Sequence, residues 1–209
     1  MPQPAILKIT EIFASIQGEG LRMGEPTIFI RLAGCNLRCH FCDTKYAWDG
    51  GSDYTAEQVL AAIKKIRHGL PVDWICLTGG EPMCQEIKTL VRKLRKSGLK
   101  VQIETNGTIY QRVGIDWFTI SPKPPEYYFH AEYATRAKEV KLVVSRELTF
   151  ETIQNIRKSF PERTPILLQP ESHRKWSIRA GENLLAHAAR ERIVNIRLSI
   201  QLQKVLNFR

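Results

Sequence analysis

No stretch of this 209-residue chain approaches the roughly 20 consecutive apolar residues that a membrane-spanning helix needs, so no membrane association is expected. The opening residues, Met-Pro-Gln-Pro-Ala-Ile-Leu-Lys, lack the layout of a signal peptide, which points to the cytoplasm and to thiols kept reduced. Internal repeats and low-complexity tracts are missing as well. With 43% apolar and 25% charged residues, neither a disordered nor a collagenous chain is in play. The chain is also short of the roughly 250 residues of a complete eight-fold β/α barrel, which leaves room for one domain spanning 1–209.

Carboxylates are outnumbered, 21 Asp and Glu against 31 Lys and Arg, for a formal charge of +10. The excess invites a nucleic-acid reading. Its distribution argues otherwise: Lys64, Lys65 and Arg67 fall on one predicted helix and Arg92, Lys93, Arg95 and Lys96 on another, the pattern of solvated helix faces. Such a surface draws in small anionic substrates, and no direct nucleic-acid contact is expected.

What the chain does have is alternation. Lys8–Ala14 and Thr27–Ala33 read as strands, the second rich in β-formers and carrying one charge, Arg31, that must reach solvent or meet an anion. Thr55-Ala56-Glu57-Gln58 has the form of a capping box, and Val59, Leu60, Ile63 and Ile66 follow at helical spacing until Gly69 and Pro71. Strands at 74–77, 99–103, 116–120, 139–144, 166–168 and 196–200 are interleaved with helices around Ile87–Leu94, Ile153–Phe160 and Glu182–Arg190. The stretch 121–138, broken by prolines and rich in aromatics, reads as an irregular crossover or lid. This order predicts a mainly parallel sheet with its polar loops gathered at the carboxyl ends of the strands. The helices are too few for a closed barrel, so the expected fold is α/β, a partial, open barrel.

Three of the five cysteines, Cys35, Cys39 and Cys42, crowd into one loop behind the second strand. No regular helix or strand face holds all three, so the loop should wrap a thiolate-binding group. Disulfides cannot pair three clustered cysteines. Zinc requires a fourth ligand and usually a second ligand pair; His40 is adjacent to Cys39 and ill placed to complete a tetrahedron. An iron-sulfur cubane takes three thiolates and leaves one iron open to a small molecule, and the spacing favours it over zinc. Cys76 and Cys84 read as structural thiols.

The spacing Cys-x-x-x-Cys-x-x-Cys with Phe41 before the last cysteine resembles the signature of radical S-adenosylmethionine (SAM) enzymes, and Gly79-Gly80-Glu81-Pro82 resembles their SAM-binding element. Gln17-Gly18-Glu19-Gly20, Arg31 to Leu37, Cys42-Asp43-Thr44, Thr78 to Pro82, Glu104 to Gly107, Ser121-Pro122-Lys123 and Gln169-Pro170 together resemble the 7-carboxy-7-deazaguanine synthase family. The resemblance implies a single domain of radical SAM type. It implies conversion of 6-carboxy-5,6,7,8-tetrahydropterin to 7-carboxy-7-deazaguanine with loss of ammonia, a step toward queuosine or archaeosine.

By the same resemblance Cys35, Cys39 and Cys42 would hold a [4Fe-4S] cluster and Thr44 a Mg2+ ion. Phe41, Cys42, Asp43, Gly80, Glu81, Ser121, Pro122, Lys123 and the run Gln169, Pro170, Glu171, Ser172 would contact SAM. Ile16, Gln17, Gly18, Glu19, Arg31, Thr78 and Arg209 would contact the pterin, the Arg31 guanidinium suiting its carboxylate. No residue is assigned as a catalytic acid or base. The implied partners are a low-potential electron donor such as flavodoxin or ferredoxin and a second copy of the chain. One element departs from the family: its Gln-x-His near the C-terminus reads Gln201-Leu202-Gln203 here. Two other readings compete, an activating enzyme for a glycyl-radical partner and a zinc-dependent RNA-binding module.

Overall fold

The computed structural model describes residues 5–208, without the side chain of His173. These residues form two compact units, one comprising the chain up to Ile16 with Glu25–Thr105 and Ile109–Trp117, the other Gln17–Gly24, Asn106–Thr108 and the chain from Phe118 onward.

The first unit is built on strands β1 (Ile6–Ile16), β2 (Pro26–Leu32), β3 (Ser52–Thr55), β4 (Trp74–Gly79) and β5 (Lys100–Thr105), in the order β3-β1-β2-β4-β5. β2, β4 and β5 are parallel, whereas β1 runs antiparallel to both of its neighbours. Ile28, Ile30, Leu32, Ile75, Leu77, Val101 and Ile103 are buried along these strands, because a parallel sheet covered on both faces tolerates few polar side chains.

Helix α1 (Ala56–Arg67) starts at the predicted capping box: Thr55 Oγ1 accepts from Gln58 N at 3.2 Å and Gln58 Oε1 accepts from Thr55 N at 2.7 Å. Its Val59 and Ile63, and Leu90, Val91 and Leu94 of α2 (Lys88–Lys96), face the core at helical spacing.

The second unit carries the parallel strands β6 (Trp117–Ile120), β7 (Ala137–Val144), β8 (Ile166–Pro170) and β9 (Ile196–Leu198), in that order. Helix α4 (Phe150–Ser159) links β7 to β8, and α5 (Lys175–Arg190) links β8 to β9. The 121–138 stretch is irregular as predicted, apart from the short helix α3 (Tyr133–Arg136) and its last two residues, which already belong to β7; a second short helix, α6 (Leu202–Val205), closes the unit. No helix separates β5 from β6, in line with βα units that lack their helix. Among the described residues no helix is long and apolar enough to cross a membrane.

Candidate active site

In the first unit the site is built at the carboxyl ends of β2 and β4. β2 hands the chain to the cysteine loop, and β4 ends in Gly79-Gly80-Glu81 beside it. Glu81 N donates to Gly34 O at 2.7 Å, Gly34 N to Ala47 O at 2.9 Å and Gly80 N to Leu32 O at 2.9 Å, so the two loops are stitched backbone to backbone. The double glycine is demanded by this approach. A Cβ on Gly80 would lie 2.0 Å from Gly34 O, and one on Gly79, at φ +123°, would lie 2.2 Å from Leu32 O. The Glu81 side chain is buried and turned inward, its Oε1 accepting from Met83 N at 2.9 Å and Thr105 Oγ1 at 2.7 Å.

Cys35, Cys39 and Cys42 are outside any disulfide, and each is half-buried. Cys42 N donates to Cys39 O at 3.0 Å, and Thr44 N points at Cys42 Sγ at 3.4 Å, the kind of amide contact that stabilises a ligating thiolate. Thr44 Oγ1 donates to Asp43 Oδ1 at 3.0 Å. Among the described residues no three His, Cys, Asp or Glu side chains converge as the ligands of one metal ion would. A cubane takes each thiolate on a different iron, so its three cysteines need not converge on one point. Cys84 lies close by, its Sγ 3.8 Å from Asn36 Oδ1, and burial pushes its thiol up, which keeps it protonated.

Arg31 does meet an anion, and the anion comes from the protein. Its Nε donates to Glu11 Oε1 at 2.7 Å, with both side chains less than one-fifth exposed at 17% and 19%. Tyr46 OH donates to the same carboxylate oxygen at 3.0 Å, and burial pushes the Tyr46 phenol up, so it remains a donor. The guanidinium lies over the rings of Phe13 and Tyr46, 5.8 and 5.7 Å from their centroids. Its terminal nitrogens have no acceptor among the described residues. Register places Glu11, Arg31 and Thr78 in one row across β1, β2 and β4.

In the second unit the predicted residues gather at the ends of β6 and β8. Ser121 Oγ donates to Lys141 O at 2.8 Å, while Lys123 Nζ donates to Ser121 O at 2.8 Å and also to its hydroxyl. Gln169 is buried and leaves Oε1 without a hydrogen-bond partner among the described residues. Glu171 N donates to Ser177 Oγ at 2.7 Å, and Ser172 takes the left-handed conformation at φ 46°. The 17–20 loop rests on β7. Glu139 Oε1 accepts from Thr119 Oγ1 and its Oε2 from Leu21 N, both at 2.7 Å, and Lys141 Nζ reaches Glu19 Oε2 at 2.5 Å. Arg209 lies outside the described residues.

Residues 29–175 match the Radical SAM superfamily. A 7-carboxy-7-deazaguanine synthase of Aquifex aeolicus is 38% identical over 180 residues, covering 81% of this chain and 80% of that protein. The family assignment follows. This chain belongs to the 7-carboxy-7-deazaguanine synthase family of radical SAM enzymes. The crystal structure of QueE from Escherichia coli superposes with a TM-score of 0.79 at 30% identity, over 94% of each chain. A synthase of Methanospirillum hungatei is 51% identical over 110 residues; that match covers 51% of this chain and 45% of its relative. Membership in the synthase family implies a [4Fe-4S] cluster and SAM, and it displaces the glycyl-radical and zinc alternatives.

With the family in hand, the residues that sequence reasoning missed stand out. Glu11 and Tyr46 orient Arg31 from outside any motif. Glu139 and Lys141 did leave a signal: two charges at alternate positions inside an apolar, buried strand must find partners.

Proposed function

We propose that this chain converts 6-carboxy-5,6,7,8-tetrahydropterin to 7-carboxy-7-deazaguanine with loss of ammonia, as one radical SAM domain spanning 1–209. The observation that carries the reading is Arg31, fixed through Nε by Glu11 while its terminal nitrogens find no protein acceptor among the described residues. That leaves a planar, bidentate donor pair of the kind that recognises a carboxylate, in the strand that leads into the cysteines and beside Thr78.

Cys35, Cys39 and Cys42 hold the cluster in this reading, and the donor set fits: three thiols outside any disulfide on one loop, with the Thr44 amide on one of them. When bound, the cluster supplies the electron that splits SAM and so generates the radical that takes a hydrogen atom from the substrate. The remaining work of the protein is positioning and exclusion of water. Phe41, Cys42, Asp43, Gly80, Glu81, Ser121, Pro122, Lys123 and residues 169–172 are proposed to hold SAM. Glu81 and Gly80 would act through their backbone, because the Glu81 carboxylate is engaged inside the protein. The buried, unpartnered Oε1 of Gln169 supports a donor arriving from a ligand. Ile16, Gln17, Gly18, Glu19, Arg31, Thr78 and Arg209 are assigned to the pterin. Thr44, with substrate oxygens and water, is assigned to Mg2+, a hard cation that keeps several waters. A cytoplasmic homodimer reduced by a flavodoxin- or ferredoxin-type donor completes the proposal.

Anaerobic incubation of the reconstituted enzyme with SAM, a reductant, Mg2+ and the carboxytetrahydropterin tests it. The expected product by mass spectrometry is the carboxylated deazapurine. Formation of 5'-deoxyadenosine without it would refute the substrate and keep the superfamily.

A further inference from the structure

The 17–20 loop is gripped from the far end of the sequence. Gln201 Nε2 and Gln203 Nε2 both donate to Glu19 Oε1 at 2.9 Å, while Lys141 Nζ holds the other carboxylate oxygen. Leu202 N donates to Gly18 O at 2.8 Å, and a Cβ on Gly18 would fall 1.8 Å from Gln203 Oε1, so the backbone there lies flat against the Gln203 amide. A carboxylate accepts only, which fixes both glutamines with their NH2 groups toward Glu19. One residue further on, Lys204 Nζ donates to Ser172 Oγ at 3.0 Å.

We propose that residues 201–204 are a positioning clasp: Gln201 and Gln203 lock the pterin loop through Glu19, and Lys204 steadies the SAM loop through Ser172. Glu19 is the anchor of its loop in this scheme. Three protein donors occupy its carboxylate, and Gln17 and Gly18 are presented because Glu19 is held. Such hydrogen bonds to a charged carboxylate only 12% exposed are the strong kind, and losing one leaves the loop free to open. The inference rests on the proposed synthase reading for the identity of the loops, but not for the existence of the clasp.

Two measurements test it. In Gln203→Ala, hydrogen exchange of amides 18–24 in the unliganded protein should rise by roughly tenfold, with β2 and α1 unchanged. The same variant should raise the KM for the pterin by roughly tenfold with kcat held within about twofold, whereas Lys204→Ala should weaken SAM instead. Gln203→Glu adds a second carboxyl against Glu19, and its KM defect should ease as the pH falls and the pair shares a proton.

Unchanged exchange in Gln203→Ala overturns the clasp. Faster exchange with an unaltered KM overturns the positioning role and leaves a structural contact. A wild type that cleaves SAM without making a deazapurine sinks the synthase reading, while the exchange data still decide the clasp.

Discussion

The sharpest chemistry in this molecule sits on single side chains whose partners are remote in sequence. Arg31 was legible as a charge inside an apolar strand, and the cysteines as a metal loop. Glu11 and Tyr46, which aim the guanidinium, were not, because an antiparallel register and a 3-10 turn bring them in and neither leaves a local pattern. Arg31→Lys should therefore behave as a loss and not as a conservative change: an ammonium cannot bond Glu11 and still offer a planar pair to a carboxylate. The expected drop in kcat/KM for the pterin is about 2 kcal/mol, roughly thirtyfold, with uncoupled SAM cleavage retained. Glu11→Gln keeps an acceptor for Nε and should cost less. Cys84 makes the opposite case: its thiol stays protonated and touches Asn36, so Cys84→Ser should keep full iron and sulfide and the visible absorbance of the cluster. Loss of iron in that variant, comparable to Cys39→Ser, would show a fourth ligand.

At the scale of elements, local signals were read well and long-range ones poorly. The capping box of α1 was visible because it is a four-residue code. β3 was not: Ser52–Thr55 is an exposed edge strand whose only warrant is pairing with β1. α5 begins at Lys175, before the predicted Glu182; its N-cap, Arg174, makes no capping side-chain hydrogen bond, so the sequence carries no capping signal at the true start. The Gly79-Gly80 turn is the element on which the site depends most. The sequence suggested a backbone laid open to a ligand; the fold adds that the same backbone is pressed against Leu32 and Gly34. Gly80→Ala has no flexible neighbour to displace, since the clash is with a carbonyl oxygen. It should lower stability by about 3 kcal/mol or more. For a chain of this length that is a fall in Tm of about 6 °C or more, measurable by calorimetry on the metal-free protein. Thr55→Ala is the control: loss of about 1 kcal/mol from the cap, with catalysis untouched.

Across the whole molecule the alternation of strand and helix was enough to predict an open, mainly parallel α/β fold, because periodicity survives in any single sequence. The placement of charge was not so easily read. Dispersed on paper, the cations of α2 and its surroundings converge in space: Lys88, Arg92, Arg95, Lys96, Lys100 and Arg112 line a groove of about 650 Å3. Asp116 pairs with Arg95 at 3.1 Å and also accepts from Val101 N at 2.9 Å, so it neutralises little of the rest. The groove runs along α2 from Lys88 to Lys96 and reaches the amino end of β5 at Lys100, whereas the cysteine loop follows the carboxyl end of β2 in the same parallel set. All six cations are exposed to solvent, and interactions between exposed charges more than a Debye length apart, ~10 Å at 0.1 M salt, are largely screened. The double variant Arg92→Glu with Lys96→Glu should thus elute earlier from a cation exchanger and yet turn over saturating substrate at the wild-type rate at physiological salt. A collapse of kcat in that variant, with Tm unchanged, would place the groove within the catalytic apparatus and not at its back.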